Sequence, residues 1–377
     1  MRAIVTGQIG VDKRPYLEDV CKLAGERGSS IDIYNVGNMM YGEAPDVRAG
    51  RILDLPLSRL ASLRRAAFKD IISESSPVED NPNIIVNTHA TFRWRHGLFS
   101  AFDFDQMSLL KPDMMICLVD NVETVHQRLH DEHDIDATLK DCMVWREEEI
   151  LATELLANAM GCHDQFYILS RGRHQDTVET CMRMITRPDV RRVYPSFPMS
   201  HVVDKPDVLA EIEEFRASIA EHFIAFDPAD VDEKLLLDRA LDAARNGDDW
   251  VEVEAHSYGG KKGAETQRLP VREVLDIAGD IDGQIYMRDF KLVDQSDMII
   301  SYIPELEGGV PGLSSGVERE LHHAWEHTKE VYVVWKPAKA PSPFITETAT
   351  KIFPSVEDAL EYFAEQGMFP QRNLFGH

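Results

Sequence analysis

The chain has 377 residues, long for one ordinary domain and comfortable for two. Apolar residues make up 44% and charged ones 28%, a globular balance that excludes a largely disordered or collagen-like chain. Forty Lys and Arg against 65 Asp and Glu leave a formal charge of −25, which argues against general nucleic-acid or membrane-surface binding but leaves room for a local pocket holding a small anion.

Five cysteines (Cys21, Cys117, Cys142, Cys162 and Cys181) are scattered without CxxC spacing. They read as buried free thiols in a reducing compartment, not as a disulfide framework or a thiolate zinc site. The opening MRAIVTG lacks the apolar core of a signal peptide, and no run of about 18 apolar residues follows. The expectation is a cytoplasmic protein with no membrane segment.

Residues 2–6 form a short apolar strand, and residues 15–26 carry helical spacing through Tyr16, Val20, Cys21 and Leu23. Strand-like 31–36 precedes helical 57–72. Runs 83–88 and 114–119 have strand length and composition, 136–159 is a long helical stretch, 166–169 a strand and 177–185 a helix. Such alternation predicts crossover units and a mostly parallel sheet. The pattern breaks at Thr186-Arg187-Pro188-Asp189 and restarts. Strand 192–194, helix 208–222 and strand 223–226 follow. A polar, Gly-rich loop around 257–263, with Lys261 and Lys262 as a potential cover for a site, leads to strands 298–303 and 330–335 with helix 317–326 between them. The fold class expected is α/β with two domains, 1–187 and 188–377.

Gly7-Gln8-Ile9-Gly10-Val11-Asp12-Lys13-Arg14 follows the first strand and opens the first helix, where backbone N–H groups and a lysine can cradle phosphate. Against G-x-x-x-x-G-K-[ST], Gly7 and Lys13 remain, Asp12 replaces the second glycine and Arg14 the magnesium-binding hydroxyl. Arg93, Trp94, Arg95 and His96 form a basic-aromatic cluster that reads as a packed or solvated loop. His126 with His130, and His323 with His327, stand at i,i+4, but spacing places no third ligand and no metal site is assigned.

The order Asn87-Thr88-His89-Ala90, then Lys111-Pro112-Asp113 before an apolar strand, then residues 119–128, resembles archaeal-type adenylate kinases and related P-loop nucleoside monophosphate kinases. The resemblance spans roughly residues 1–186. It implies a nucleotide held by Gly7, Gly10 and Lys13, with Arg128 at the start of a lid-like helix. Arg14 and Asn87 replace the expected magnesium ligands, so ATP and Mg²⁺ chemistry in this domain lacks its metal anchors. The expectation is a degenerate module that binds or senses nucleotide; an active kinase is the alternative.

In the second half, Tyr194-Pro195-Ser196-Phe197-Pro198-Met199-Ser200 runs from a strand into a loop. Arg288-Asp289 precedes a helix leading through Ser296-Asp297 into a strand. Ser314-Ser315-Gly316-Val317-Glu318-Arg319-Glu320-Leu321-His322-His323-Ala324 opens another helix. All three are expected at the carboxyl edge of an open sheet. These segments resemble the nucleoside 2-deoxyribosyltransferase superfamily, which includes the 2'-deoxynucleoside 5'-phosphate N-hydrolases, over roughly residues 190–377. The resemblance implies a flavodoxin-like fold, Glu320 as nucleophile and Asp297 as the acid serving the leaving base; Asp289 and Asp294 are near enough in sequence to be alternatives for the acid. It places Tyr194, Ser196, Phe197, Pro198 and Met199 around base and sugar.

Two carboxylates suit the reaction, because positive charge builds on the sugar while the base accumulates negative charge. Where transferases acting on free nucleosides carry an aspartate, this chain has Ser314. With Ser315 and Gly316 at a helix N-terminus, it favours a 5'-phosphate. The substrate expected is a nucleoside 5'-monophosphate, with no cofactor needed for the glycosidic step. Cleavage of the nicotinamide bond of NAD uses the same logic, and a non-catalytic nucleotide sensor is a further reading. The family's shared sites imply a dimer or larger homo-oligomer.

Overall fold

The computed structural model describes residues 1–48, 50–75, 83–94, 97–172, 176–199, 202–254 and 266–369. They fall into two compact units. Met1–Thr186 and Asp230–Gln284 form the first; Arg187–Ala229 and Ile285–His377 form the second.

The sheet of the first unit comprises β1 (Arg2–Thr6), β2 (Asp32–Asn35), β3 (Ile84–Asn87), β4 (Met114–Val119) and β5 (Phe166–Ser170). Its order is β2-β3-β1-β4-β5 and every neighbouring pair is parallel. All six residues of β4 are buried, which is why Met-Met-Ile-Cys-Leu-Val reads as an unbroken apolar run and not an alternation. The helices that carry the site are α1 (Lys13–Glu26), α2 (Leu57–Glu74), α3 (Val122–Asp131) and α4 (Leu139–Met160). Helix α2 buries Leu60, Leu63, Ala67, Phe68 and Ile71, one apolar stripe at helical spacing. Helix α4 starts in a reciprocal capping box between Thr138 and Asp141 and stops at Gly161, whose φ of 78° a side chain would resist.

The second unit contains β6 (Arg192–Ser196), β7 (Ile224–Ala225), β8 (Met298–Ile303), β9 (Glu330–Trp335) and β10 (Lys351–Phe353), again all parallel. The order is β10-β9-β8-β6-β7. Counted within the unit this is 2-1-3-4-5, the flavodoxin-like order, whose crevice lies beyond the carboxyl ends of the first and third strands, here β6 and β8. Two helices matter for the site, α5 (Ala278–Asp294) and α6 (Ser315–Glu326). Arg288 and Asp289 lie inside α5, not ahead of a helix as the sequence suggests.

A single cut near residue 188 does not describe the chain. The first unit closes at Thr186, yet residues 230–284 return to it. The tie is polar. Arg146 on α4 pairs with Glu233, the side chains being 3% and 0% exposed. Arg146 Nε also donates to Gln284 Oε1 at 3.0 Å, and the Leu139 amide to Glu273 Oε1 at 2.8 Å. Buried arginine and glutamate are costly unless paired, so neither the 1–186 part nor the 230–284 segment satisfies its polar groups alone. Hydropathy spacing carries no trace of this. It also misses two antiparallel hairpins, Thr91–Trp94 with Gly97–Ser100 and Trp250–Glu254 with Thr266–Pro270. Among the described residues, no helix is long and apolar enough to cross a membrane.

Candidate functional site

In the first unit a cleft of about 440 Å³ opens at the carboxyl ends of β1 and β3, where the strand order switches direction. Gly10, Asp12, Lys13, Arg64, His89 and His133 are among its walls. The loop from Gly7 to Lys13 owes its glycines to crowding. A Cβ on Gly7, at φ 147°, would sit 2.5 Å from the Leu118 carbonyl oxygen, and one on Gly10, at φ 88°, 2.9 Å from Leu129. Asp12 holds the left-handed conformation (φ 54°) that glycine would otherwise supply.

Lys13 is buried, and its ammonium donates to the Gly7 carbonyl at 2.8 Å and contacts the His89 ring nitrogens at 3.2 and 3.3 Å. Burial pulls its pKa down to about 8, although the Glu149 carboxylate opposes the shift. Burial and then the Lys13 charge hold His89 well below the ordinary histidine range, so it faces the lysine as a neutral acceptor. Glu149, only 1% exposed, accepts from the amides of Gly7, Ala90 and Thr91 at 3.1, 2.8 and 2.8 Å and from the Thr91 hydroxyl at 2.6 Å. This carboxylate pins the loop to the end of β3, and no motif announces it. Arg64, 4% exposed, lines the cleft with an Nη2 that has no hydrogen-bond partner.

Arg128 is not among the cleft walls. It donates to the Gly10 and Val11 carbonyls at 3.2 and 3.3 Å and to Asp120 at 2.8 Å, so it fastens the outside of the loop. Gly7 likewise shapes the loop without lining the cleft. The positions of a P-loop kinase's magnesium anchors line the cleft but carry residues of a different kind. Arg14 pairs with Glu18 at 2.7 Å on the surface, and Asn87 donates to Asn35 at 2.8 Å. These residues do not fit the family's Mg²⁺·ATP arrangement. At the rim, Asp12, Glu132 and His133 bring ligand atoms within 4.8 Å of one another. Asp12 Oδ1 lies 3.1 Å from His133 Nε2.

In the second unit Glu320, on α6, reaches the carboxyl end of β6. It is half-buried, and the Ser196 hydroxyl donates to its Oε2 at 2.5 Å. Burial raises the Glu320 pKa, while the hydrogen bond from Ser196 pulls the other way. Tyr194 is fully buried on β6, and burial followed by the charges of Glu320 and Asp289 keeps its proton on. Ser301 on β8 stands in register with Ser196, fully buried, its hydroxyl without a partner.

Asp297 is elsewhere. It is exposed, accepts from the Arg192 amide at 2.7 Å, and so sits at the amino end of β6 and β8. Arg192 and Ser196 are four strand residues apart, about 13 Å at the usual rise. Asp297 is a strand-edge anchor and cannot act on the same bond as Glu320; of the carboxylates considered for the acid, Asp289 is the one whose charge reaches Tyr194. Asp294 is also outside the site, bonded to His323 Nε2 at 2.7 Å. With His327 these two form a second cluster of potential ligands, the third partner that i,i+4 spacing alone does not supply.

Ser314 caps α6, its hydroxyl oxygen accepting from the Val317 amide at 3.2 Å, and Ser315 and Gly316 are exposed at that N-terminus. Phe197 and Met199 pack into the apolar core with Phe215 and Tyr302, and Pro198 is buried, so these side chains belong to the core and not to a wall around base and sugar. Arg93 is paired with Glu148, but it lies on the strand Thr91–Trp94 and not in the loop expected. His126 contacts Gln267 and His130 contacts Asp131. Arg95, His96, Ser200 and the 257–263 loop with Lys261 and Lys262 lie outside the described residues.

Residues 7–141 match the family described as "AAA domain". The chain is 27% identical over 182 residues to an adenylate kinase of Pyrococcus furiosus, covering 46% of this chain and 86% of the relative. It is 26% identical over 180 residues to an adenylate kinase of Pyrococcus horikoshii, with the same coverage. A crystal structure of shikimate kinase from Bacteroides thetaiotaomicron aligns at a TM-score of 0.31 and 10% identity, over 49% of this chain and 95% of that one. The N-terminal part is thus similar to P-loop nucleotide kinases, in line with its loop, sheet order and cleft.

Proposed function

We propose that the second unit cleaves or transfers the N-glycosidic bond of a nucleoside 5'-monophosphate, and that the first unit is its nucleotide-binding module. The observation that carries this reading is the Glu320 carboxylate, set against Ser196 at the strand-order switch, with the charges of Glu320 and Asp289 both acting on Tyr194. Ionised Glu320 attacks the anomeric carbon; the bond to the base breaks, and its electron pair leaves with the base. Asp289 supplies the proton that the base takes up. Water or a second nucleotide then opens the glycosyl ester on Glu320. The Ser314-Ser315-Gly316 turn offers hydroxyl and amide donors at the positive end of α6 to the 5'-phosphate.

The test is a panel of nucleoside monophosphates incubated with the full chain, with free base followed by chromatography. Glu320→Ala should lower release by at least about 10³-fold while the protein stays folded. Undiminished release in that variant would falsify the role of Glu320. A kinase reading of the first unit rests on the cleft and the similarity to adenylate kinases. The replaced metal anchors argue against it, and ATP-dependent phosphorylation of a nucleotide in the presence of Mg²⁺, lost in Lys13→Ala, would restore it.

A further inference from the structure

An aspartate in a phosphate cradle is a liability. Asp12 follows the loop directly, lines the cleft, and stands beside Lys13 where an incoming phosphate would meet its charge. Phosphate and aspartate can share such a place only if a cation lies between them. The usual supplier of that cation in a P-loop, a hydroxyl after the lysine with a carboxylate at the end of a neighbouring strand, is replaced here by Arg14 and Asn87, paired with Glu18 and Asn35.

We propose that Asp12, Glu132 and His133 bind a divalent transition-metal cation at the rim of the first unit's cleft, and that this cation lets the loop accept a phosphate ester. The three side chains converge from two places in the chain. Asp12 caps α1, while Glu132 and His133 follow α3. Their ligand atoms all lie within 4.8 Å of one another, so modest side-chain rotation brings them onto one ion. His133 already directs Nε2 at Asp12, the 3.1 Å contact that a metal would replace.

One imidazole nitrogen with two carboxylates suits Mn²⁺, Fe²⁺ or Zn²⁺, and three protein ligands leave open positions for phosphate oxygen. Both Asp12 and His133 face the cleft, so an ion there is presented to its contents. The other walls suit the same guest. Lys13 and Arg64 are buried cations, and Arg64 keeps an unpartnered guanidinium nitrogen. The positive charge of Arg128 reaches both carboxylates, while its Nη1 is held by Gly10, Val11 and Asp120. The cation thus turns the least suitable residue of the loop into the anchor for its ligand.

The experiment uses the full chain freed of metal by a chelator. Mn²⁺ is titrated in and free Mn²⁺ is read by electron paramagnetic resonance. Wild type should show a site that Asp12→Asn and His133→Gln weaken at least tenfold, while His323→Ala, in the separate Asp294 cluster, leaves it unchanged. Wild-type binding in both Asp12→Asn and His133→Gln, or loss in His323→Ala alone, overturns the assignment. Should Asp12→Asn fail to fold, His133→Gln, a change at a partly exposed side chain, decides alone. Inorganic phosphate then tests the consequence. Mn²⁺ should tighten its binding to wild type at least tenfold and do nothing for Asp12→Asn. Without metal the order reverses, because Asp12→Asn has lost a repelling charge. Phosphate affinity indifferent to Mn²⁺ in wild type overturns the role given to the ion.

Discussion

The two units place their candidate sites at the same address and equip them with opposite chemistry. Each has a parallel sheet whose order reverses next to the first strand of the unit, and each gathers its polar residues beyond the carboxyl ends there. In the first unit that position is walled by buried cations, Lys13 and Arg64. In the second it holds Glu320, whose charge and that of Asp289 act on the buried Tyr194. One arrangement suits an anion that is already formed; the other suits positive charge that develops during bond breaking. The shared topology sets where a ligand goes, and the side chains decide what happens to it.

The sharpest way to break this contrast is to exchange the two aspartates assigned to it. Asp289→Asn should slow base release by about 10²–10⁴-fold, the range of a lost general acid, and least for substrates whose base leaves readily without a proton. Asp297→Asn should leave release intact and cost only about 1 kcal/mol of stability, through its bond to the Arg192 amide. The opposite pattern, measured by chromatography and urea unfolding, would return the acid to Asp297 and undo the site as drawn.

Glu233→Ala probes the first unit in the currency of stability. It leaves the Arg146 guanidinium buried without its counter-charge, a loss of about 3–5 kcal/mol. Residues 230–284 should also become accessible to protease. A loss below about 1 kcal/mol would mean that the return of this segment to the first unit has little energetic content.

Much of the fold was legible in the sequence because burial writes itself into spacing. Strands β1, β4, β8 and β9 are apolar runs of strand length, and α2 shows its stripe plainly. The switch-point placement of Glu320 followed from the order of strand, loop and helix. Asp297 misled because residue order around a strand is the same whether a carboxylate precedes its amino end or serves its carboxyl end; only the hydrogen bond to Arg192 separates the two. Arg64, Glu149 and Glu233 were invisible for a related reason. Each is a charged residue on a helix or beside one, where solvation is the default, and long-range partners alone make them interior. Asp12 stood out as a defect in a motif, but Glu132 and His133, 120 residues further on, carried no signal that they return to it.

Lys13 gives a smaller handle on the same unit. Its folded pKa of about 8 lies below the usual 10.5, so its charge is resisted in the fold. Below pH 8 that cost is present in full. Between pH 8 and 10.5 the unfolded chain binds the proton more readily than the folded one, and stability rises with pH. The shift corresponds to about 3 kcal/mol. Lys13→Met should remove this increment, so the urea midpoints of variant and wild type should converge as pH rises from 7.5 to 10. A constant gap would show that the lysine is not buried as a charge.

The smallest effect tests whether Ser196 serves Glu320 or touches the substrate. Its hydroxyl donates to the carboxylate and lowers a pKa that burial has raised. Under the proposed mechanism Glu320 acts ionised, so activity should fall as pH drops through its pKa, and the acidic limb of the profile should report that value. Ser196→Ala deletes the donor without changing the buried volume much. The limb should then move to higher pH by about one unit or less, with the plateau rate nearly kept. A serine that instead held the sugar would act the other way. The limb would stay where it is and the plateau would fall, because the donor would be missing at every pH and not only where Glu320 takes up its proton.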